Sequence, residues 1–236
     1  MNKMRSFRVE RSALMALAFL VFMASCSLNN DSPGNSQPVT PVSYVSLYNA
    51  SPDAPALRVS VDNKYIGSGL RYGDYSGYIA FRTGERTLQF GPSNADNVTV
   101  DTTLTLAEGK VYSLFVADQY SKVSLFVTDD TSPDPPAGKA MIRLVNLSPD
   151  AGPMQLNLKN DGSSLIAARN FKQASAFTEI SADNFDLEVS QASGSLKLSV
   201  PGVTFQPGKF YSIVVQGYST PPSGNTNVLS AQVIVN

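Results

Sequence analysis

The side chains of this sequence that could do chemistry are its acids, its bases and one thiol. It has 19 Asp and Glu, 18 Lys and Arg, no histidine, and a single cysteine, Cys26. The lack of imidazole excludes Ser-His-Asp and Cys-His catalysis and histidine metal sites. One thiol excludes disulfides, zinc ribbons and iron–sulfur clusters. A hydrolase would need paired carboxylates or a serine–lysine arrangement, and neither stands out. We therefore expect no enzymatic activity and no cofactor.

Three aspartates are the candidates for metal ligands. Asp129, Asp130 and Asp134 lie in a proline-rich stretch, and carboxylates are ligands of hard cations such as calcium. No EF-hand spacing accompanies them, so we expect solvated linker residues, with calcium binding as the alternative. The formal net charge of -1 gives no basic footprint for nucleic acid.

The first 25 residues have the pattern of an export signal. Basic residues precede an unbroken apolar run from Ala13 to Met23, which is too short to span a bilayer and has the length of a signal-peptide core. The segment Met-Ala-Ser-Cys at its end resembles the bacterial lipobox. This resemblance implies that residues 1–25 are removed and that Cys26 is lipidated and becomes the mature N-terminus. A secretory signal with an incidental cysteine is the alternative.

The residues after the cysteine predict a spacer on a membrane anchor. Residues 26–41 are rich in Ser, Asn, Asp, Gly and Pro, a composition that cannot repay the entropy of ordering, so we expect a flexible tether. Ser27 favours the outer membrane of a two-membrane bacterium, by analogy with other lipoproteins. The sequence does not indicate which face of the membrane carries the protein.

The chain beyond the tether repeats itself. Residues 48–54 recur as residues 145–151, displaced by 97 positions, and farther along the displacement becomes 99 because of a two-residue insertion in one loop. The repeat predicts two modules, at 42–128 and 140–236, joined by a Pro- and Asp-rich linker at 129–139.

Both modules have the periodicity of β-sheet. Leu57, Val59 and Val61 alternate with polar residues, which is typical of a half-buried strand. Residues 111–116 and 210–215 are apolar on both faces, as central strands are. Gly and Pro punctuate the chain at short intervals. The pattern predicts an all-β fold of two tandem β-sandwiches.

A tyrosine recurs at matching positions of the two modules. Tyr112 and Tyr211 each follow a glycine by three residues and open an apolar strand. This arrangement resembles the tyrosine corner of immunoglobulin-like and fibronectin-like domains, in which the hydroxyl bonds to upstream backbone. The resemblance implies an immunoglobulin-like sandwich in each module, and a core tyrosine of another type of sandwich is the alternative.

A Ser-Pro-Asp segment follows the first strand of each module. Its six residues are Ser51, Pro52, Asp53, Ser148, Pro149 and Asp150. Proline presets the φ of a turn, and Ser and Asp accept hydrogen bonds from following amides, so we expect structural connectors. Ligand or cation binding by the two aspartates is the alternative. The first copy, Ser-Pro-Asp-Ala-Pro, resembles the signature of a bacterial secreted and cell-surface domain of unknown function that often occurs in tandem and has no established catalytic residues.

Two tyrosines are the candidate ligand-binding residues. Tyr75 aligns with Ala174 in the repeat, so we expect its ring on the surface. Tyr218 lies in the long loop at 216–227, and end loops of sandwiches often carry binding residues. The sequence favours a non-enzymatic cell-envelope lipoprotein that presents two modules to a protein partner or serves a structural role. A surface lipoprotein that binds glycans through exposed tyrosines is the alternative.

Overall fold

The computed structural model describes residues 40–236, so the predicted signal sequence, Cys26 and most of the predicted tether lie outside the described residues. Thr40–Asn236 form one compact unit. Its regular elements are β-strands and a short 3₁₀ helix at Tyr120–Lys122. The predicted all-β fold, with sheets packed as sandwiches, is confirmed.

The first sandwich consists of eight strands in two sheets. The strands are β1 (Val42–Asn49), β2 (Leu57–Val61), β3 (Lys64–Leu70), β4 (Tyr75–Arg82), β5 (Gly84–Pro92), β6 (Val100–Leu106), β7 (Val111–Ala117) and β8 (Ser124–Asp129). Sheet A has the order β4-β1-β7-β8, and sheet B has the order β3-β2-β5-β6.

The second sandwich repeats this order of strands. Its strands are β9 (Lys139–Asn146), β10 (Met154–Leu158), β11 (Ser164–Arg169), β12 (Gln173–Ala174), β13 (Thr178–Ser181), β14 (Asn184–Gln191), β15 (Lys197–Thr204), β16 (Phe210–Gln216) and β17 (Ser230–Val235). Sheet C has the order β12-β9-β16-β17, with β13 also paired to β9, and sheet D has the order β11-β10-β14-β15. Two short strands, β12 and β13, thus replace the single strand β4.

In both sandwiches the first strand lies inside its sheet. β1 pairs in parallel with β7, and β9 pairs in parallel with β16. Alternate side chains of β2 are buried, so Leu57, Val59 and Val61 enter the core while their neighbours are half-buried. The register follows the predicted period of two, because a one-residue shift would expose every core side chain.

The two sandwiches pack against each other through sheets A and C. Side chains of β1 and β7 that point away from the first core contact their counterparts on β9 and β16. They form an apolar cluster of Tyr48, Ala50, Phe115, Ala117, Val145, Leu147, Val214 and Ile234. The layer order is therefore B-A-C-D. This contact explains why the central strands are apolar on both faces.

Candidate functional site

A buried ion pair lies in the middle of the contact between sheets A and C. Arg143 of β9 contacts Asp130, which follows β8, and both side chains are 2% exposed. The Nη2 atom of Arg143 donates to Oδ2 of Asp130 over 3.0 Å, and its Nε donates to Ser212 Oγ over 2.6 Å. The pair joins the end of the first sandwich to the first strand of the second.

The carboxylate of Asp130 is fully satisfied by hydrogen bonds. It accepts from the Tyr78 hydroxyl over 2.6 Å and from the Thr128 hydroxyl over 2.6 Å, and it also contacts the Ser113 hydroxyl. Burial, followed by the negative charge of Asp130, raises the pKa of Tyr78 well above its usual value. The prediction that Asp130 is a solvated linker residue is wrong, because the facing sandwich supplies its cation.

The other two metal candidates lie apart from this pair. Asp129 forms an ion pair with Lys110 at 3.0 Å, and Asp134 is exposed. Partial burial opposes ionisation of Asp129, but hydrogen bonds from Thr131 and Lys110 outweigh it and lower the pKa of the carboxyl group. Within residues 40–236, no three Asp, Glu, His or Cys residues are grouped so that they could hold a metal ion.

The first Ser-Pro-Asp turn fastens one end of the first sandwich. Ser51 donates its hydroxyl to the carbonyl oxygen of Asp118 over 2.7 Å, and Asp53 accepts from the amide of Tyr120 over 2.7 Å. Both partners lie in the loop between β7 and β8. The turn therefore connects β1 to β2 and also bonds to the loop between β7 and β8.

The second turn makes the matching contacts in its own sandwich. Ser148 donates to the carbonyl oxygen of Gly217 over 2.7 Å, and Asp150 accepts from the amides of Ser219 and Thr220 over 2.7 and 2.9 Å. Gly217, like its counterpart Asp118, has a positive φ, of 81° against 86°. The side chains of Asp53 and Asp150 therefore both accept hydrogen bonds from backbone amides of the loop that follows the central strand.

The long loop at 216–227 covers the turn of the first sandwich. Asn225 and Asn227 donate side-chain amides to the carbonyl oxygen of Pro52 over 3.1 and 2.5 Å. Tyr218 is 2% exposed, and its hydroxyl has no hydrogen-bond partner. Burial, followed by the charge of Asp53, raises the pKa of Tyr218 to about 12. The prediction that Tyr218 is an exposed ligand-binding residue is wrong, because the loop folds inward against the other sandwich.

Tyr75 is also not the surface ring that the repeat predicted. It is half-buried and packs against the apolar cluster between sheets A and C. Burial raises the pKa of its hydroxyl. The expectation of exposure was wrong because the alignment with Ala174 shows only that the second sandwich has a smaller residue there.

The two corner tyrosines occupy equivalent places. The amide of Gln206 donates to the Tyr211 hydroxyl over 2.9 Å, and the amide of Ala107 donates to the Tyr112 hydroxyl over 3.4 Å. Each hydroxyl thus contacts backbone five residues upstream, in the turn that carries the chain from one sheet to the other. The shorter bond belongs to the second sandwich.

A groove opens on one side of the contact between sheets A and C, between β8 and β12, and is the candidate functional site. Its volume is about 720 Å³. The half-buried rings of Phe126 and Phe177 line it together with Ala174. Sequence reasoning missed this groove. The alignment of Tyr75 with Ala174 contained the signal, because it removes a large side chain from a buried position.

Three cations, Arg143, Arg169 and Lys172, and one carboxylate, Asp129, line the groove. Lys172 forms an ion pair with Asp118 at 3.2 Å and donates to the Ser124 hydroxyl over 2.6 Å. The guanidinium carbon of Arg143 lies 4.7 Å from the centre of the Phe177 ring. Arg169 also lines the groove and forms no ion pair with any residue of the described range. The groove thus combines apolar surface with donors that suit carboxylates.

The part of the chain that the structure describes contains no helix long and apolar enough to cross a membrane.

Comparison with family models gives one match. The model described as "Domain of unknown function (DUF4397)" matches residues 43–157. This range begins in β1, ends in β10 and includes both Ser-Pro-Asp turns. The expected match to a domain of unknown function is confirmed. No significant match was found among the curated proteins.

Several solved structures resemble the chain. A protein of Parabacteroides distasonis described as a candidate cell adhesion protein has 9% identity and a TM-score of 0.23, over 84% of this chain and 99% of that one. A family 26 carbohydrate-binding module from Eubacterium rectale Amy13K, solved with maltoheptaose, has 12% identity and a TM-score of 0.22, over 78% and 100%. A DUF3823 family protein of Bacteroides ovatus has 10% identity and a TM-score of 0.21, over 70% and 99%.

Proposed function

We propose that the protein is a non-enzymatic lipoprotein of the cell envelope that binds an extended segment of a protein partner in the groove between its sandwiches. The observation that carries this proposal is the open groove between β8 and β12. Cys26 would hold the protein in the outer membrane, and both sandwiches would be copies of one domain.

The strands that border the groove favour a peptide as the ligand. β8 and β12 are the outermost strands of sheets A and C. An outermost strand has backbone N–H and C=O groups on its free side, and these groups pair readily with an added strand. Arg169 and Lys172 favour a segment that carries acidic side chains, and Phe126 offers it an apolar contact.

The buried polar contacts behind the groove hold its walls in place. Arg143 spans both sandwiches through Asp130 and Ser212, and Lys172 contacts the first sandwich through Asp118 and Ser124. A site that is formed before the ligand arrives loses less conformational entropy on binding. These contacts therefore support a binding role for the interface.

Glycan binding is the second candidate. The tyrosines first considered for it are buried or half-buried, so its aromatic contacts would come from the rings of Phe126 and Phe177 in the same groove. The mixture of rings and hydrogen-bond donors suits a sugar with a carboxylate. One set of variants can therefore test both ligands.

The binding test uses a variant that closes the groove. Ala174→Tyr introduces the side chain that Tyr75 provides on the opposite side of the interface. The control, Ser164→Tyr, adds the same ring at an exposed position that aligns with Tyr65. The wild-type chain and both variants are applied to an array of peptides from the host's envelope proteins and to a glycan array.

We expect peptide signals with wild type and Ser164→Tyr, reduced at least tenfold by Ala174→Tyr. Signals on the glycan array alone that disappear with Ala174→Tyr would replace the peptide with a glycan. Peptide binding that both tyrosine variants leave unchanged would contradict the groove as the site. Hydrolysis of an array glycan that one Asp or Glu substitution abolishes would contradict the non-enzymatic role.

The anchor is tested in a bacterial host with an alkyne-labelled fatty acid. The wild-type chain should incorporate the label and fractionate with the outer membrane, because two or more acyl chains hold a protein firmly in a bilayer. Cys26→Ser should lose both properties. A labelled Cys26→Ser chain, or an unlabelled wild type, would contradict lipidation at this residue.

A further inference from the structure

A second cavity opens in the first sandwich, between the edge strands β3 and β4. It has a volume of about 310 Å³ and lies beside Gly67, which pairs with Val59. Its walls are mainly apolar. They include Leu47, Val59, Ile66, Leu70, Tyr75 and Ile79. Ile66 and Ile79 are both 43% exposed, so the cavity is open to solvent at a hydrophobic mouth.

At the equivalent place of the second sandwich, a large side chain packs into the core. Leu156, the counterpart of Val59, pairs with Ile166. Ile166 is 4% exposed and belongs to the core of the second sandwich. The strand arrangement therefore accommodates a large aliphatic residue here, and the first sandwich has glycine instead.

The backbone does not require glycine at residue 67. Its φ lies outside the left-handed region, and a Cβ atom would meet no other atom within 4 Å. Glycine in the interior of a strand weakens the strand, because it lacks packing contacts and has a large entropy in the unfolded chain. Because residue 67 has no side chain, the space beside it stays open as the cavity.

A third cavity continues the second along the same side of the sandwich. It has a volume of about 510 Å³ and shares Ile66 and Ile79 with its neighbour. Its charged lining consists of Lys64, Arg82, Arg86 and Asp62, and the last two form an ion pair at 3.3 Å. Lys64 and Arg82 form no ion pair with any residue of the described range.

The three cations beside the third cavity are replaced by uncharged residues in the second sandwich. By the 99-residue displacement, Lys64, Arg82 and Arg86 align with Ser163, Ser181 and Phe185. The second sandwich thus has Ile166 in place of Gly67 and uncharged residues at these three positions, while Lys159 takes the place of Asp62. Two differences between the copies, one apolar and one electrostatic, occur together on one side of the first sandwich.

We propose that these two adjoining cavities bind an aliphatic carboxylate, with the hydrocarbon chain beside Gly67 and the carboxylate near Lys64 and Arg82. The apolar end has the volume at which small-molecule pockets begin, about 300 Å³. Each buried methylene strengthens binding about fourfold. The cations select a negative head group over a positive one of equal length. The site is separate from the groove between the sandwiches.

The binding experiment uses the full mature chain with Cys26→Ser, so that no acyl anchor is present. Dodecanoate is titrated by calorimetry below its micelle concentration, and decanoate and dodecyltrimethylammonium serve as probes of chain length and charge. We expect one dodecanoate site, about fifteenfold weaker binding of decanoate, and at least tenfold weaker binding of the cationic detergent. No binding of dodecanoate, or equal binding of the two head groups, would overturn the proposal.

Variants that copy the second sandwich locate the ligand. Gly67→Ile should weaken dodecanoate binding at least tenfold while the melting temperature stays equal or rises. Ile79→Thr, which introduces the counterpart of Thr178, removes part of the mouth and should weaken binding even if Gly67→Ile fails to fold. Unchanged affinity in a folded Gly67→Ile or Ile79→Thr variant would overturn the assignment of the hydrocarbon site.

The head-group site is tested with a change of charge. Lys64→Ser with Arg82→Ser should reduce dodecanoate affinity at least fivefold and leave the affinity for dodecyltrimethylammonium unchanged or higher. The control, Lys159→Ser with Lys209→Ser, removes the same charge from exposed positions of the second sandwich and should leave both affinities unchanged. An equal loss in both double variants would overturn the role of Lys64 and Arg82.

Discussion

The two sides of the contact between sheets A and C differ, although the repeat relates them. On one side β4 lies near β17, where the Tyr48 hydroxyl lies 2.7 Å from Oε1 of Gln232 and the Tyr75 ring is half-buried. On the other side β8 lies near β12, and Ala174 replaces Tyr75 beside the groove of about 720 Å³. Two sandwiches with the same order of strands thus differ where one has a smaller side chain.

Inside the sandwiches the smaller side chain belongs to the first sandwich instead of the second. Here the first copy has the small residue, Gly67, and the second has Ile166. The groove between the sandwiches therefore lies beside the smaller residue of the second sandwich, and the cavity of about 310 Å³ lies beside the smaller residue of the first. The order of strands is common to both sandwiches, and the side-chain volumes differ at these equivalent positions.

Charge follows the same pattern at the centre of the interface. Arg143 aligns with Ser46 in the repeat. Asp130 has the place of Asn236, because the preceding residues, Asp129 and Val235, pair with the equivalent tyrosines of β7 and β16. Asn236 contacts the Tyr78 hydroxyl at 3.0 Å. One copy supplies the carboxylate and the other supplies the guanidinium. The repeat is therefore symmetric in its backbone and asymmetric in its polar contacts.

The largest effect is expected for Arg143→Met. This change leaves Asp130 buried without its cation and should lower the free energy of unfolding by about 3–5 kcal/mol, measured by urea denaturation. Lys159→Met removes an exposed cation from the same sandwich and serves as the control. A loss no larger than that of the control would show that the buried pair does not hold the two sandwiches together.

Substitution by alanine at the equivalent positions 67 and 166 should change the free energy of unfolding in opposite directions. Ile166→Ala creates a cavity in a filled core and should cost about 3 kcal/mol. Gly67→Ala adds a methyl group to open space and should stabilise the protein by about 0.5 kcal/mol. Both values come from the same denaturation experiment. A destabilised Gly67→Ala variant would contradict the view that the first sandwich is incompletely filled.

The corner tyrosines should differ in proportion to their hydrogen bonds. Tyr211→Phe removes an acceptor at 2.9 Å and should cost about 1 kcal/mol, whereas Tyr112→Phe removes one at 3.4 Å and should cost less. Denaturation midpoints compared at equal slope test the order. Equal losses would indicate that both corners have the same geometry in solution.

The smallest effect at neutral pH is expected for Tyr218→Phe. The lost hydroxyl has no partner, so stability at pH 7 should stay equal or rise. The folded-state pKa of about 12 exceeds the usual value of 10.0, so the contribution of the neutral phenol is present below pH 10 and is lost as pH rises toward 12.

Thermal unfolding from pH 8 to pH 12 tests this pH dependence. The melting temperature of Tyr218→Phe should fall less steeply above pH 10 than that of wild type. Burial also raises the pKa of Tyr72, to about 12, so both proteins should still lose some stability over this interval. Parallel curves for the two proteins would contradict the burial of the Tyr218 hydroxyl.

The sequence predicted features that depend on short segments of chain. Alternation at Leu57, Val59 and Val61 predicted a half-buried strand, and β2 has that pattern. Exposure was predicted less well. Tyr218 was expected in solvent because it lies in a long end loop, and Asp130 because it lies in a Pro- and Asp-rich linker, but residues far away in the chain cover both of them.

Local pattern was enough for an all-β fold and for the alignment of its two repeats, because strand formation follows from the alternation and shape of neighbouring side chains. The positions of the cavities and of the buried charge depend on contacts such as Asp130 with Arg143 and Pro52 with Asn227. Burial is a property of the surfaces that meet. A segment read alone contains no information about the surface that will face it.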